Sequence, residues 1–250
     1  MKTDWDYTNH ASAYLHRPSY SEEAISKFVE AAGLRSGDPV CDVGAGCAHL
    51  TIPLAERGFN VTAIEPNDDM RAHGMERTKD YSNVRWVEAT MEETTMEDNA
   101  FAATTFGSCF GVTDRANTLH EMKRILKDGG WFACMWNHRD FSDTLQSEIE
   151  NHIRTSIEGY DYGVRRADQT DAINESGLFT EVMKVEAPIL HKQSAESWIE
   201  AWRSHMTLKR QAKEQFGQIV DHIEKIVRQL NQDVLDLPYV TRMYYAQLKS

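Results

Sequence analysis

Two glycines one residue apart, Gly44 and Gly46, end the run Pro39-Val-Cys-Asp-Val-Gly-Ala-Gly46, an apolar strand that passes into a helix-like segment. Such a turn is a grip for a nucleotide or cofactor. Glycine lets the backbone turn sharply and leaves no Cβ between main-chain N–H groups and a ligand. Downstream, Asn60-Val-Thr-Ala-Ile-Glu-Pro66 reads as a second short strand. It ends in a carboxylate, Glu65, about twenty residues after the glycines, where a ribose diol would be read. A dinucleotide site needs a third glycine three residues after the second, and that position holds the bulky His49. Asp42, two places before Gly44, is also unusual for a dinucleotide grip. Groups able to take a proton are His10, His16, His138 and Tyr14, all in segments expected to border the crevice; His138 comes first among them.

The elements that must position these residues follow from periodicity. Ser19 and Glu22 suggest a capping box for a helix whose Ile25, Phe28, Val29 and Ala32 share a face, stopped by Gly33. A strand at Val40–Val43, the glycine turn and a helix from near Thr51 to Arg57 come next, Pro53 requiring the late start. Then come the strand Val61–Ile64, a helix over Asp68–Thr78, strands at Val84–Val87 and Phe101–Phe106, a helix from Asn117 to Leu126, and the strand Trp131–Trp136. Repeated β-then-α units imply parallel strands with right-handed crossovers. Beyond these, helices are expected at Asp143–Ile157, Asp168–Glu175, Ser194–His205 and Leu208–Leu230, a strand at Val182–Leu190, and a β-rich end at Tyr239–Leu248 that closes the sheet.

A net charge of −12, from 39 acidic and 27 basic residues, disfavours nucleic acid and membrane surfaces and favours a small-molecule partner. The four cysteines, Cys41, Cys47, Cys109 and Cys134, lack metal-type spacing, so no metal site is expected and free thiols in a reducing cytoplasm are. The N-terminus has no apolar signal region, and no run approaches the roughly 18 apolar residues of a membrane span.

The order Asp42-x-Gly44-x-Gly46, Glu65-Pro66 and Arg124-Ile-Leu-Lys-Asp-Gly-Gly130 resembles the class I S-adenosylmethionine-dependent methyltransferases. It is most similar to their small-molecule branch, typified by trans-aconitate and ubiquinone-type enzymes, through Tyr14-Leu-His-Arg-Pro-Ser-Tyr20, Trp136-Asn-x-Arg139-Asp140 and Leu237-Pro-Tyr-Val-Thr241. That resemblance implies an α/β, Rossmann-like fold: a seven-stranded, mostly parallel sheet with helices on both faces and a helical cap over the C-terminal strand ends. It implies one domain, with residues 1–35 an N-terminal helical cap segment, 36–142 the cofactor-binding core and 143–250 late strands with inserted helices forming a substrate lid.

Carried over by position, the resemblance places Gly44, Ala45 and Gly46 against the methionine moiety, oriented by Asp42, with Glu65 on the ribose hydroxyls. Pro66 and Met70 would pack near the adenine, Ala89, Thr90 and Met91 would meet its edge, and Phe106 to Ser108 would lie beside the methionine arm. Tyr14 and Arg17 would close the N-terminal segment over the cofactor, S-adenosyl-L-methionine. The aromatics Trp5, Tyr7, Trp136, Trp198 and Trp202 could line an acceptor pocket or fill the core. The expected activity is methyl transfer to an oxygen, nitrogen or carbon of a small molecule. A noncatalytic S-adenosylmethionine-binding module and an NAD(P)-dependent oxidoreductase are the alternatives.

Overall fold

The computed structural model describes residues 14–15, 17–161 and 167–249. His10, His16, Trp5 and Tyr7 lie outside the described residues.

Helix α1 (Glu22–Ala32) starts at Ser21, whose side chain accepts the Ala24 N–H, and stops at Gly33 with φ 63°. The cap is therefore Ser21, not the Ser19–Glu22 box that the sequence suggested; the Ser19 carbonyl is engaged instead by Asn137. The core follows as β1 (Pro39–Val43), α2 (Thr51–Glu56), β2 (Asn60–Ile64), α3 (Asp68–Arg77), β3 (Val84–Val87), β4 (Phe101–Gly107), α4 (Arg115–Ile125) and β5 (Leu126–Arg139). Strand and helix do not alternate throughout, because no helix separates β3 from β4. That stretch is rich in acids and supplies no apolar stripe for a helix to bury. It is pinned to α4 instead: Thr94 donates to Glu121 through N–H at 2.8 Å, and Arg124 donates to the Met96 carbonyl at 2.6 Å.

The strand order is β3-β2-β1-β4-β5-β7-β6, with β6 spanning Met183–Ser194 and β7 Val234–Gln247. The first five strands are parallel and β7 runs antiparallel to both neighbours. The C-terminal strand thus inserts inside the sheet and leaves β6 at the edge. Two apolar layers sandwich the sheet. Ile25 and Phe28 of α1 and Leu54 of α2 pack on one face, while Leu119, Met122 and Ile125 of α4 pack with Phe106, Phe110 and Phe132 on the other.

A third core belongs to the cap, built by α5 (Thr144–Ser156), α7 (Ala195–Arg203), α8 (Met206–Ala212) and α9 (Phe216–Gln229); the short α6 (Thr170–Glu175) joins the sheet layer through Ile173. The expected single helix over Leu208–Leu230 is broken at Lys213, φ 50°, where a 3-10 turn over Lys213–Gln215 offers no buried side chain. Beyond the Arg139–Tyr239 pair, β7 continues only against β6, from Leu190–Pro238 to Ser194–Val234. Leu235 and Leu237 of this projecting ribbon enter the cap core, which seats the cap beyond the C-terminal ends of the parallel strands. Among the described residues no helix is long and apolar enough to cross a membrane.

Candidate functional site

Chain order reverses between β1 and β4, and ligands of open α/β sheets bind at such a switch point, outside the strands' carboxyl ends. Both glycines lie there in the left-handed region, Gly44 at φ 67° and Gly46 at φ 55°, which favours glycine. A Cβ on Gly44 would meet the Cys109 sulfur at 2.7 Å and the Met91 sulfur at 3.3 Å; one on Gly46 would meet the Met70 methyl at 3.1 Å. The Ala45 N–H donates to the Ile64 carbonyl at 2.9 Å, tying the turn to β2.

Two buried acidic side chains lie next to this turn, Asp42 two places before Gly44 and Glu65 at the end of β2. Asp42 is 0% exposed, and its oxygens accept from the Thr51 hydroxyl at 2.6 Å and the Thr105 hydroxyl at 3.1 Å. Burial pushes its pKa up to about 7. Glu65, 8% exposed at the end of β2, accepts from the Gly46 N–H through Oε2 and from the Asn67 N–H through Oε1, both at 2.9 Å. Burial raises its pKa as well, against those two bonds.

Around them, Pro66, Met70 and Ala89 are buried, and Thr90, Met91 and Ser108 are partly so. Met70 meets the Cys47 thiol at 3.6 Å and is packed by Tyr14. Phe106 is fully buried in an aromatic cluster, 5.6 Å from Phe110 and 5.3 Å from Phe132. Arg17 stacks on the Tyr14 ring at 3.7 Å. The His49 ring bonds the Tyr14 carbonyl at 2.7 Å, and burial lowers its pKa to about 4.

His138 lies within β5, opposite Val240, rather than past the strand. Trp198 and Trp202 fill the cap core, 6.0 Å apart and edge to face. Sequence reasoning missed the second layer of the site: Thr51 and Thr105 under Asp42, Cys109 donating to the Val43 carbonyl at 3.1 Å, and Tyr20, whose hydroxyl meets Ser108 Oγ at 2.9 Å. Tyr20 stands inside the quoted Tyr14–Tyr20 motif, so its position was on view, but only the tertiary fold brings it to β4.

Residues 40–130 match the methyltransferase domain family. An uncharacterized methyltransferase of Mycobacterium tuberculosis is 36% identical over 124 residues, covering 50% of this chain and 48% of the relative. A ubiquinone/menaquinone biosynthesis C-methyltransferase of Zymomonas mobilis is 33% identical over 129 residues, covering 50% of this chain and 51% of the relative. The chain spans about half the length of the curated relatives it matches. The solved phosphoethanolamine N-methyltransferase 2 of Haemonchus contortus, in complex with S-adenosyl-L-methionine, shares the fold at TM-score 0.56 and 14% identity, over 97% of this chain and 57% of that one. The matching segment begins in β1 and ends at Gly130 in β5, so the part of the chain that is similar to a methyltransferase domain contains both the glycine turn and Glu65.

Proposed function

We propose that the protein transfers the methyl group of S-adenosylmethionine to an oxygen, nitrogen or carbon of a small-molecule acceptor. The observation that carries this reading is the Glu65 carboxylate. Each of its oxygens is fixed by one backbone N–H and keeps lone-pair capacity for one more donor. A vicinal diol, as on a ribose, presents two such donors at matching separation.

The rest of the turn suits the same ligand. The backbone at Gly44, Ala45 and Gly46 would face the methionine moiety, with Asp42 tying the end of β1 to Thr51 of α2 and Thr105 of β4. Pro66, Met70 and the Ala89–Met91 segment offer an apolar seat for the adenine, and Phe106 to Ser108 bring β4 beside the methionine arm. Tyr14 and Arg17 cover the turn from the N-terminal side.

When bound, the cofactor supplies a methyl already activated by its sulfonium. The chain's own task is to hold the acceptor atom in line at about 3 Å, exclude water and, where the acceptor carries a proton, remove it. His138 on β5 and Tyr14 beside the turn are the proposed groups for that proton. The direct test denatures freshly purified protein and identifies the small molecules released by mass spectrometry. S-adenosylmethionine or S-adenosylhomocysteine supports the reading, and a nicotinamide nucleotide sinks it. Label transfer from the methyl donor to the ultrafiltrate of a cell extract then separates enzyme from noncatalytic binding module.

A further inference from the structure

The described residues ahead of α1, 14–15 and 17–21, cross the C-terminal ends of the strands as a strap, held by a hydrogen bond at each station. The His49 ring takes the Tyr14 carbonyl at 2.7 Å beside the glycine turn. Ser108, at the end of β4, takes the Tyr20 hydroxyl at 2.9 Å. Asn137 on β5 donates through Nδ2 to the carbonyls of Pro18 at 3.1 Å and Ser19 at 3.0 Å. Thr241, its direct partner across the β5–β7 pair, donates to Asn137 Oδ1 at 2.6 Å and accepts the Ser21 N–H at 2.9 Å.

Asn137 and Thr241 thus spend their polar atoms on one another and on three closely spaced strap residues, Pro18, Ser19 and Ser21. Such a network uses the full chemistry of both side chains: the first supplies a donor at one end and an acceptor at the other, the second a hydroxyl doing both. Tyr20 between them lies against Gly107, where a Cβ would come within 2.8 Å of its hydroxyl. Ser108 takes up φ 64° in making its bond. The strap therefore grips the β4 corner next to Cys109, whose sulfur abuts Gly44.

We propose that Asn137 and Thr241 are positioning residues that latch the N-terminal strap across the crevice, so that release of this latch sets how fast the cofactor enters and leaves. The inference rests on the reading of the crevice as a cofactor site. Neither residue touches the reacting atoms; they act through Pro18, Ser19, Tyr20 and Ser21.

Near-isosteric variants test it without emptying the core. Asn137→Asp replaces the donor with a carboxylate facing two carbonyls, and Thr241→Val removes the hydroxyl while keeping its shape. In both, backbone hydrogen exchange over residues 17–21 should speed up, and S-adenosylhomocysteine should dissociate about five- to tenfold faster in stopped flow, the scale of one or two lost hydrogen bonds. KM for the methyl donor should rise more than kcat falls. Should Asn137→Asp fail to fold, Thr241→Val carries the test. Unchanged exchange over 17–21 overturns the latch, and faster exchange with an unchanged dissociation rate overturns the gate. A wild-type protein that binds no S-adenosylhomocysteine overturns the cofactor reading and the gate with it, while the exchange arm still decides whether the latch holds the strap.

Discussion

The carboxylate of Glu65 reaches back over the glycine turn to Gly46, whose N–H donates to Oε2 at 2.9 Å, so one side chain joins the end of β2 to the turn after β1. Its other oxygen takes the Asn67 N–H, which makes Glu65→Gln a sharp test. An amide must point its NH2 at one of two N–H donors, breaking one bond and removing one acceptor for the ribose. S-adenosylmethionine affinity should fall at least about tenfold by calorimetry, with about 1–2 kcal/mol lost from stability. Unchanged affinity would take the diol site away from Glu65.

Gly44 and Gly46 are not equally replaceable. A Cβ at position 44 meets the Cys109 sulfur at 2.7 Å, the Cys109 Cβ at 3.1 Å and the Met91 sulfur at 3.3 Å, whereas at 46 it meets the end of the flexible Met70 side chain at 3.1 Å. Both positions carry a positive φ, so both alanine variants bear backbone strain of about 1 kcal/mol or more. Gly44→Ala should lose more stability in urea unfolding than Gly46→Ala, and adding Cys109→Ser should recover only part of the loss, because the smaller Oγ relieves the sulfur contact while the Cβ of residue 109, the Met91 sulfur and the positive φ remain.

The glycine turn, Glu65 and the five parallel strands were legible because each rests on local grammar: apolar runs, punctuating glycines, and a carboxylate at a fixed interval. The order β5-β7-β6 was not, since antiparallel insertion of the last strand depends on pairing between residues far apart, such as Trp131 and Gln247. The break at Lys213 was hidden for a similar reason. Apolar spacing runs on through Ala212 and Phe216, and only the packing of α8 and α9 into one cap core forces the kink. Thr51 and Thr105 looked like ordinary helix and strand residues until the sheet brought them onto Asp42.

Asp42 and His49 give the stability profile two opposing slopes. Asp42 titrates near 7 in the folded chain against 3.8 when exposed, so its contribution is fully present below about 3.8 and is lost as pH rises through 7. His49 titrates near 4 against 6.5, so its contribution is present above 6.5 and is lost as pH falls through 4. Between 4 and 6.5 the two slopes, each up to about 1.4 kcal/mol per pH unit, largely cancel. Relative to the unmodified protein, Asp42→Asn should therefore lose stability as pH falls through this window, and His49→Gln should lose it as pH rises. Denaturant titrations from pH 4 to 8 read both differences, and parallel curves for all three proteins would refute the assignment.

The cap is joined to the sheet by a buried ion pair. Arg139, at the end of β5, donates to Glu150 of α5 at 2.7 Å, with both side chains 6% exposed, and its guanidinium lies 4.8 Å over the Trp202 ring of α7. Glu150 has a second cation, Arg154, at 2.7 Å, whose side chain is 52% exposed. Removing one partner of a buried pair costs about 3–5 kcal/mol because the other charge is left without its counterion. Exposed pairs are worth about 0–1 kcal/mol. Glu150→Ala should therefore be the most damaging variant, since it deprives Arg139 of this counterion. Arg139→Met should cost less, because Arg154 still neutralises Glu150 and methionine keeps an apolar contact with Trp202. Arg154→Ala should be nearly silent. The loss should appear first as faster amide exchange in α5, α7 and α9, with β1 to β4 still protected, because the cap has a core separate from the two layers on the sheet. Equal loss of protection in β1 would show instead that cap and sheet unfold as one unit.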